Sequence, residues 1–307
     1  MPPKKYASFP ARSQTTPAPR FSQQPIAAAP EPASSDKLLK ITGYPAVAAL
    51  FRSEPERIVR FFYEERMIPK IGSFCAYMAG QHRPYRMLDA AELSKVAGTV
   101  RHGGIVAIAE PRPLQSLSVE EARLWARTSK HPLFVLDGIG NTHNVGAIAR
   151  TLAFFGHDKL ILSDHPAQAG LSDSAHRVAE GGLEYLQVYR ANRLPTLLHA
   201  LKPNYRIVGT ALNQGIPLEK LPEDSRPTLI LLGNEELGLT PATLKATEVI
   251  IKIQAKGAVQ SLNVSATAAI LAYALQTPPA TPRSNRPTAS PSGFKKNHRR
   301  PSSKSSQ

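Results

Sequence analysis

The second half of the chain alternates short, fully apolar runs with longer segments in which apolar and polar residues are mixed. The apolar runs occupy residues 133–136, 160–162, 207–208, 229–232 and 249–251. Two of the longer segments, 145–155 and 262–275, have the apolar spacing of helices. Uninterrupted apolar strands separated by helices are typical of a parallel sheet that is covered on both faces. We therefore predict a parallel-sheet α/β domain over residues 131–277.

Residues 37–112 have a different pattern, in which helical and strand-like segments alternate without long apolar runs. The helical segments are 44–51, 71–80 and 90–96, and the strand-like ones are 57–63, 85–88 and 105–109. This pattern predicts a smaller α/β domain, near the lower size limit for independent folding. Residues 113–130 are predicted to form a helical linker, because Ser118 followed by Glu120 and Glu121 is typical of a helix start.

The two ends of the chain are poor in apolar residues and rich in proline. Residues 1–36 contain eight prolines, and residues 278–307 contain six prolines, seven Lys or Arg and no acid. Such segments cannot bury enough surface to offset the entropy of an ordered chain, so both are predicted to be disordered tails. They serve either as solubilising appendages or as loose arms that bind phosphate.

Charge is distributed unevenly along the chain, whose formal net charge is +15. The tails carry +2 and +7, residues 37–112 carry +5, the linker carries +1 and residues 131–277 are neutral. A basic excess of this size points to nucleic acid as a partner. We expect the basic small domain to hold the nucleic acid and the neutral domain to carry the chemistry.

The cysteine count and the hydropathy exclude several classes of protein. The single cysteine, Cys75, cannot form an internal disulfide or a cysteine-rich zinc site, and the nine histidines lack metal-ligand spacing. No apolar run approaches the roughly 20 residues that span a bilayer. Lys4 and Lys5 are not followed by the apolar stretch of a secretory signal. These features predict a soluble, cytoplasmic protein without a metal or a membrane segment.

A polar segment at 137–146 follows the first predicted strand of the larger domain. It has two glycines in the spacing of a dinucleotide-binding turn, but His143 stands where the third glycine is needed. Asn141 and Asn144 are open to interpretation as the turn and cap of the next helix. Arg150, two turns into that apolar helix, is not explained by capping. Its guanidinium must find an anion, either a structural carboxylate or a substrate phosphate.

Two further polar segments follow later strands. The first, 232–239, contains glycines and Glu235, and the carboxyl ends of parallel strands are where binding crevices open. Glu235 therefore faces a ligand in one interpretation and is an ordinary surface residue in the other. The second, 253–265, places Ser261 and Asn263 at the start of the last helix. Ser261 is a helix cap in the simpler interpretation, whereas Asn263, inside the first turn, is less explained by capping.

Taken in chain order, these segments resemble the three motifs of the SpoU (TrmH) family, which belongs to the SPOUT class of RNA methyltransferases. The matching positions are Asn141-x-x-Asn144-x-Gly146-x-x-x-Arg150, Gly233-x-Glu235-x-x-Gly238 and Gly257-x-x-x-Ser261-Leu262-Asn263-Val264-Ser265-x-x-Ala268. The resemblance covers residues 131–277 and includes the segment Arg177-Val178-Ala179-Glu180-Gly181-Gly182. Residues 40–111 also resemble the small substrate-binding domain that many members carry.

The resemblance implies transfer of a methyl group from S-adenosyl-L-methionine to a ribose 2′-hydroxyl of tRNA or ribosomal RNA. It also implies a deep trefoil knot in the C-terminal domain, a homodimer with the site near the subunit interface, and no metal. The implied catalytic residues are Arg150, Asn144, Glu235, Ser261 and Asn263. The implied cofactor-binding residues are Thr210, Gly233, Ile253 and Leu262.

One pair of positions departs from the family pattern. Members commonly have Pro-Met after the strand of the third motif, and this chain has Gln254 and Ala255.

The sequence leaves two hypotheses: an active RNA 2′-O-methyltransferase, or a catalytically weak or inactive relative that binds RNA in RNA folding or ribosome assembly. Binding of S-adenosylmethionine separates the two. Neither hypothesis names the RNA or the nucleotide.

Overall fold

The computed structural model describes residues 38–212 and 214–276. These residues form two α/β domains, as the hydrophobic pattern predicts. The predicted disordered tails, 1–36 and 278–307, lie outside the described residues. None of the helices in the described ranges has the length and hydropathy that crossing a membrane requires.

The first domain is a mixed sheet with helices on both faces, and four strands lie in its described part. Its elements are β1 (Leu39–Thr42), α1 (Tyr44–Ser53), β2 (Ile58–Tyr63), α2 (Ile68–Gly80), β3 (Tyr85–Met87), α3 (Ala90–Ala97) and β4 (Ile105–Ala109), with 3-10 turns at Pro55–Arg57 and Glu65–Met67. The strand order is β1-β4-β2-β3. Strand β4 is antiparallel to both neighbours, and β3 is parallel to β2. Every helix and strand predicted between 44 and 109 is present, and β1 is additional.

Side chains of this sheet pack against helices on opposite faces. On one face, the fully buried ring of Phe61 lies 5.2 Å from that of Phe51 in α1, which stacks on Phe74 of α2 at 4.3 Å between ring centroids. On the other face, Val106 packs in a cluster with the fully buried Leu93 of α3. Aromatic rings bury a large apolar area per residue. The small domain is therefore stabilised to a large extent by aromatic packing against α1 and α2.

The second domain is built on an all-parallel sheet, in which the described residues contribute eight strands. Its elements are β5 (Gln115–Ser116), α4 (Val119–Thr128), β6 (Leu133–Asp137), α5 (Thr142–Phe154), β7 (Lys159–Ser163), α6 (Asp173–Ala179), α7 (Gly182–Tyr185), β8 (Gln187–Ala191), α8 (Leu194–Leu201), β9 (Arg206–Thr210), β10 (Ile216–Pro217), β11 (Thr228–Gly233), α9 (Pro241–Ala246), β12 (Val249–Lys252) and α10 (Val264–Ala274), with a 3-10 turn at Leu218–Lys220. The strand order is β10-β12-β9-β11-β6-β7-β8-β5. All pairs are parallel. The predicted parallel-sheet α/β domain is confirmed.

Two apolar layers cover the faces of this sheet, which explains why its central strands are unbroken apolar runs. Every residue of β6 and β11 is buried. One layer includes α5 and α10, through residues such as Ile148 and Leu271. The other includes α4 and α8, through residues such as Ala122 and Leu198. Helices α5 and α10 therefore share one face, next to the central strands.

The predicted linker, 113–130, contains the expected helix. Ser118 is the N-cap of α4, and its hydroxyl accepts a hydrogen bond from the backbone N–H of Glu121 at 3.1 Å. Strand β5 within this segment pairs with β8 at the margin of the large sheet, and Ala122 and Ala126 of α4 are buried in the second domain. The segment is packed as part of that domain, because both its strand and its helix find partners there.

The two domains contact each other through β1 and α1 of the first and α6 and α7 of the second. The backbone N–H of Lys40 donates to Oδ1 of Asp173 at 3.0 Å, and Arg52 donates to the hydroxyl of Tyr185 at 2.7 Å. Arg112, at the end of the first domain, donates to a backbone carbonyl just after α7 at 2.6 Å. The short helices α6 and α7 are thus held between the small domain and the core of the large one.

Candidate active site

The carboxyl ends of β12, β9, β11 and β6 lie side by side at one edge of the large sheet. The chain continues from β6 to β7 on one side, whereas β11 and β9 lie on the other side of β6. Such a reversal of connection direction opens a crevice beyond the carboxyl ends of the strands. The segments that follow these strands carry the residues predicted for the site.

Helix α5 begins with Asn141 as its N-cap, whose side-chain oxygen accepts a hydrogen bond from the backbone N–H two residues later at 2.9 Å. The turn before it is held by Gln168, whose Oε1 accepts from the N–H groups of Gly138 and Ile139. The interpretation of Asn144 as part of the turn or cap is therefore wrong, because Asn144 lies in the first helical turn and is buried. A buried amide must find hydrogen-bond partners, and those of Asn144 come from the other two motifs.

The loop after β11 is closed by two backbone hydrogen bonds between Asn234 and Gly238, 3.0 and 2.9 Å long. The side-chain oxygen of Asn234 accepts from two backbone N–H groups within the loop. Its side-chain nitrogen donates to the carbonyl of Gly138 at 2.8 Å, in the turn before α5. Asn234 therefore fixes both the shape of the loop and its position beside α5. This loop carries Glu235 toward Asn144.

The side-chain amide of Asn144 joins the three motifs. Its Nδ2 donates to Oε1 of Glu235 at 2.5 Å, and its Oδ1 accepts from Nδ2 of Asn263 at 3.0 Å. Asn263 is the N-cap of α10, since its Oδ1 accepts from the backbone N–H of Ser265 at 2.8 Å. Each amide thus donates through its nitrogen and accepts through its oxygen. We call the three residues Asn144, Glu235 and Asn263 the polar network; they are three of the five residues predicted as catalytic.

Ser261 lies two residues before the cap of α10 and is exposed. The interpretation of Ser261 as the cap is wrong, because Asn263 takes that position. The short amide of Asn263 caps the helix through its oxygen while its nitrogen reaches Asn144. Over residues 38–212 and 214–276, no hydrogen bond joins Ser261 to the polar network.

Arg150 lies six residues after Asn144, about 9 Å along α5 and on a different face of the helix. Its Nη2 is 2.9 Å from Oε2 of Glu180, and the two side chains are 56% and 47% exposed. Of the two anions that the sequence leaves open, a structural carboxylate is therefore present. Among the hydrogen bonds of the described residues, none connects Arg150 to the polar network, so the ion pair and the network are separate parts of the candidate site.

The residues predicted to bind the cofactor lie at or just after neighbouring strand ends. Thr210 ends β9, Gly233 ends β11 and Ile253 directly follows β12. Strand β9 lies between the other two, and the Thr210 hydroxyl donates to the carbonyl of Leu231 in β11 at 2.9 Å. Leu262, just before α10, is 49% exposed. The first three therefore line one stretch of the sheet edge, and Leu262 stands on the loop that returns to α10.

Two glycines near this edge are under different constraints. A Cβ on Gly233 would lie 2.5 Å from the carbonyl carbon of Gly238, so the loop backbone packs directly over the end of β11. A Cβ on Gly257 would meet nothing within 4 Å. The absence of a side chain at Gly233 is therefore required by the protein's own packing, whereas Gly257 faces no such requirement.

A serine, a histidine and a glutamate also approach one another in the first domain, in an arrangement that excludes hydrolysis. Nε2 of the buried His102 is 3.1 Å from Oγ of Ser94, and its Nδ1 is 3.6 Å from Oε1 of Glu64. The backbone N–H of Gly104 donates to the same Nδ1 at 3.1 Å, so Nδ1 carries no proton. Nε2 is then the protonated nitrogen and cannot accept the serine proton, as a hydrolytic triad requires. This cluster is structural.

Both domains match models of known protein families. Residues 131–273 match the SpoU rRNA Methylase family, and residues 40–115 match the RNA 2′-O ribose methyltransferase substrate binding domain. The chain belongs to the SpoU (TrmH) family.

Three relatives show how this SpoU chain compares with curated proteins. It is 30% identical over 233 residues to the uncharacterized tRNA/rRNA methyltransferase YfiF of Escherichia coli O157:H7, covering 76% of this chain and 66% of that protein. It is 33% identical over 236 residues to an uncharacterized tRNA/rRNA methyltransferase of Haemophilus influenzae, covering 76% and 65%. The chain thus spans just under two thirds of the length of these two relatives. It is 28% identical over 235 residues to the 23S rRNA (guanosine-2′-O-)-methyltransferase RlmB of Nitrosomonas europaea, covering 76% and 89%.

The fold of the SpoU chain also matches solved structures. The AdoMet-bound rRNA methyltransferase from Sinorhizobium meliloti superimposes with a TM-score of 0.64 at 18% identity, covering 78% of this chain and 87% of that one. At this identity the match shows the fold alone.

Sequence reasoning missed three residues that shape the SpoU site. Asn234 was detectable, because an asparagine at the start of a short loop is typical of a side chain that accepts from the next backbone N–H groups. Glu180 lies in a segment that resembles the family, but nothing in the sequence pairs it with Arg150. Gln168 has no local pattern, because its role depends on the turn that it meets about 30 residues earlier in the chain.

Proposed function

We propose that this SpoU protein methylates a ribose 2′-hydroxyl of tRNA or ribosomal RNA, with S-adenosylmethionine as methyl donor. The observation that carries the proposal is the polar network, which joins the three family motifs at the carboxyl edge of the sheet. Side chains that hold one another in place are preorganised to receive a hydroxyl at hydrogen-bond distance. The two family matches support the reaction type.

S-adenosylmethionine fits the residues beside this network. The partly buried Ile253 and the half-exposed Leu262 offer apolar surface for an adenine ring. The end of β11 at Gly233 and the loop that packs over it bring backbone polar groups to the same edge of the sheet. Ligand sites combine an apolar slot with a few fixed polar groups in this way. We assign cofactor binding to Thr210, Gly233, Ile253 and Leu262; the bound cofactor supplies an electrophilic methyl group.

Methylation of the 2′-oxygen breaks the S–CH3 bond of S-adenosylmethionine and leaves S-adenosylhomocysteine, and the hydroxyl proton passes to solvent. A guanidinium is protonated at any workable pH, so Arg150 is a poor general base. We assign Arg150 to bind the phosphate next to the target ribose and to stabilise the charge that develops on the 2′-oxygen. Glu235, held through Oε1 by Asn144, orients the hydroxyl with its other oxygen. Ser261 and Asn263 complete the ribose pocket.

We assign RNA binding to the first domain, residues 37–112, and methyl transfer to the second, residues 131–277, with 113–130 as the connecting segment. The first domain carries twelve Lys or Arg and seven acids, whereas the second carries twelve of each. Proteins attract RNA mainly through its phosphates. The basic tails add to this attraction. A cytoplasmic location follows from the proposed substrates, tRNA or ribosomal RNA.

A homodimer and a knotted C-terminal segment are part of the proposal. Phe154, at the end of α5, and Tyr273, at the end of α10, are 82% and 70% exposed. Both rings lie beside Phe155, with centroids 5.1 and 6.2 Å away. Exposed apolar patches mark interaction surfaces, and we propose that a second copy covers this one, which sedimentation equilibrium tests. The return of α10 from β12 to the face of α5, across β9 and β11, supports the knot.

Two measurements test the activity. Isothermal titration calorimetry should detect binding of S-adenosylmethionine. Mapping of 2′-O-methylation in total RNA from cells with and without the gene should find a methylated position that is lost with the gene.

The variant Arg150→Ala tests the role assigned to Arg150. We expect it to remove methylation and to leave RNA affinity within about threefold, because it deletes one phosphate contact of several. Affinity that collapses together with activity would contradict the role assigned to Arg150.

The second hypothesis, an inactive RNA-binding relative, is favoured by Gln254 and Ala255. They lie in the exposed loop after β12, beside the proposed cofactor site, and replace a pair common in the family. RNA binding without cofactor binding would establish this second function in place of the first.

A further inference from the structure

The connection from α6 to α7 consists of Glu180 and Gly181, followed by Gly182 as the first residue of α7. Glu180 has φ 46° and ψ 40°, and Gly181 has φ 95°, so two consecutive residues are in the left-handed region. This backbone conformation is unfavourable for a residue that carries a Cβ. Glu180 keeps it as the C-cap of α6, where the surrounding structure holds it.

Both glycines of this connection are packed at very close range. A Cβ on Gly181 would lie 2.8 Å from Cβ of Ala49 in α1, and a Cβ on Gly182 would lie 2.7 Å from Cα of Arg150 in α5. The small domain therefore contacts the connection on one side, and the backbone at Arg150 contacts it on the other. The position of Glu180 is set by both domains together.

Glu180 uses this position for its ion pair with Arg150. The pair is half exposed, and ion pairs of that kind add little to the free energy of folding. Its contact involves Nη2 of the guanidinium and Oε2 of the carboxylate. A phosphate is bound by arginine through two parallel N–H groups. The guanidinium offers two such pairs, Nε with Nη2 and Nη1 with Nη2, so a carboxylate on one N–H of Nη2 leaves the pair on the other edge for a phosphate.

Building on the function proposed above, we propose that Glu180 is a positioning residue for Arg150. Its carboxylate holds the guanidinium so that the remaining N–H groups meet the RNA phosphate at the target ribose. Docking of the small domain on Gly181 keeps Glu180 in place, and so makes the orientation of Arg150 depend on the domain that binds RNA. A carboxylate beside a phosphate site repels RNA, so its presence is explained by orientation and not by affinity.

The test compares Glu180→Gln with Glu180→Asp and with a matched control, Glu223→Gln, which neutralises an exposed glutamate of the same domain. Methylation is measured in a single turnover at saturating RNA and cofactor, with RNA affinity in parallel. We expect Glu180→Gln to be slower by about tenfold, since small misplacements of a reacting group have large effects on rate. RNA affinity should stay within about twofold of wild type, because no phosphate contact is lost. Glu180→Asp should recover part of the rate, and Glu223→Gln should match wild type.

A second readout does not depend on activity. Phenylglyoxal modifies arginines, and peptide mapping gives the rate at Arg150 relative to the exposed Arg127 of the same chain. Loss of the ion pair should raise the relative rate at Arg150 by about threefold in Glu180→Gln, the size expected for an exposed pair. Melting temperatures confirm that each variant is folded.

The outcomes separate this proposal from the proposed function. An inactive wild-type protein refutes the function, and a faster modification of Arg150 in Glu180→Gln still supports the orienting contact. An unchanged modification rate overturns the positioning role whatever the activity. A full methylation rate with tighter RNA binding in Glu180→Gln also overturns it, because Glu180 would then merely occupy the place of the phosphate.

Discussion

The two domains of this SpoU protein differ in net charge. The first has five more bases than acids, and Arg60, Arg86 and Arg101 are exposed on it. The second is neutral, and two of the three side chains of its polar network are uncharged amides. Charge attracts phosphates over a distance and is screened by salt, whereas a ribose hydroxyl must be held at hydrogen-bond distance. The comparison supports the proposal that attraction of RNA and chemistry on RNA are assigned to different domains.

The domains nevertheless meet beside the site. The Glu180–Arg150 ion pair stands next to Gly181, against which α1 of the small domain packs. The division of labour between the domains is testable by changing each of them separately.

The largest effect is expected from Asn144→Ala, in the second domain. It removes both hydrogen bonds that join the three motifs, and it leaves Glu235 and Asn263 without their partner. We expect the single-turnover methylation rate to fall by about 100-fold, the size that loss of one fixed polar group has in other active sites. RNA affinity and its dependence on salt should stay close to wild type, because no charge changes.

Asn141→Ser is the matched control, since Ser keeps an oxygen to cap α5. Its rate should be close to that of wild type. A variant at Asn144 that lost RNA affinity and kept its rate would contradict the separation of roles.

A smaller effect, on RNA affinity and not on rate, is expected from Arg60→Ala combined with Arg86→Ala, in the first domain. Arg60 lies two residues from Phe62 on β2, and Phe62 is in register with Arg86 on β3, so both arginines are on one face of the sheet. Loss of two phosphate contacts should weaken RNA binding by about tenfold and lower the slope of log affinity against log salt by about 1.5. The rate at saturating RNA should not change.

The control for the two arginines is Arg127→Ala, an exposed arginine at the end of α4, just before β6. It lies toward the amino ends of the strands, away from the candidate site. Binding titrations at several salt concentrations should give the wild-type slope for this variant. An equal loss of affinity there would mean that RNA is held by the whole surface and not by the first domain.

Much of the fold was predictable because burial on both faces produces unbroken apolar strands, as in β6 and β11. Strand β8, whose buried and exposed residues follow neither an unbroken apolar run nor a strict alternation, was not predicted, and β5 and β10 have two residues each and therefore no period. Helices α6 and α7 are short, and a glutamate in left-handed conformation separates them from one another. A left-handed residue is common at the end of a helix, but it is usually glycine, so the sequence does not assign that conformation to Glu180.

The residues of the site were easier to predict than their partners. Asn144, Glu235 and Asn263 are all in the motifs, but Asn144 and Asn263 are 119 residues apart, and their contact requires α10 to return to α5. Ser261 was open to interpretation as the cap of α10, because two residues that are able to cap a helix stand two positions apart. Asn263 takes the position because its amide serves the helix and Asn144 at once, which only the tertiary structure reveals.

The smallest expected effect is on the stability of the second domain at acid pH, through a buried histidine. His157, just before β7, is buried against Phe134. Burial and, to a lesser degree, the charge of His131 lower the pKa of His157, and the carbonyl of Pro132 and the carboxylate of Asp158 oppose them only in part. The folded protein therefore binds this proton less readily than the unfolded chain. The resulting stability is fully present above the unfolded pKa of about 6.5 and is lost as the pH falls from there through the lower pKa of the folded protein.

His157→Gln removes the titrating group, so its melting temperature should fall less than that of wild type between pH 7.5 and 5.5. We expect a difference of about 2 °C for a domain of this size, measured by calorimetry. His199→Gln, at an exposed histidine of α8, should follow wild type. RNA affinity at pH 7.5 should be the same in all three proteins, because a buried ring of the second domain does not contact RNA. A parallel fall in stability for His157→Gln and wild type would instead attribute the acid sensitivity to other groups, including those of the charged first domain.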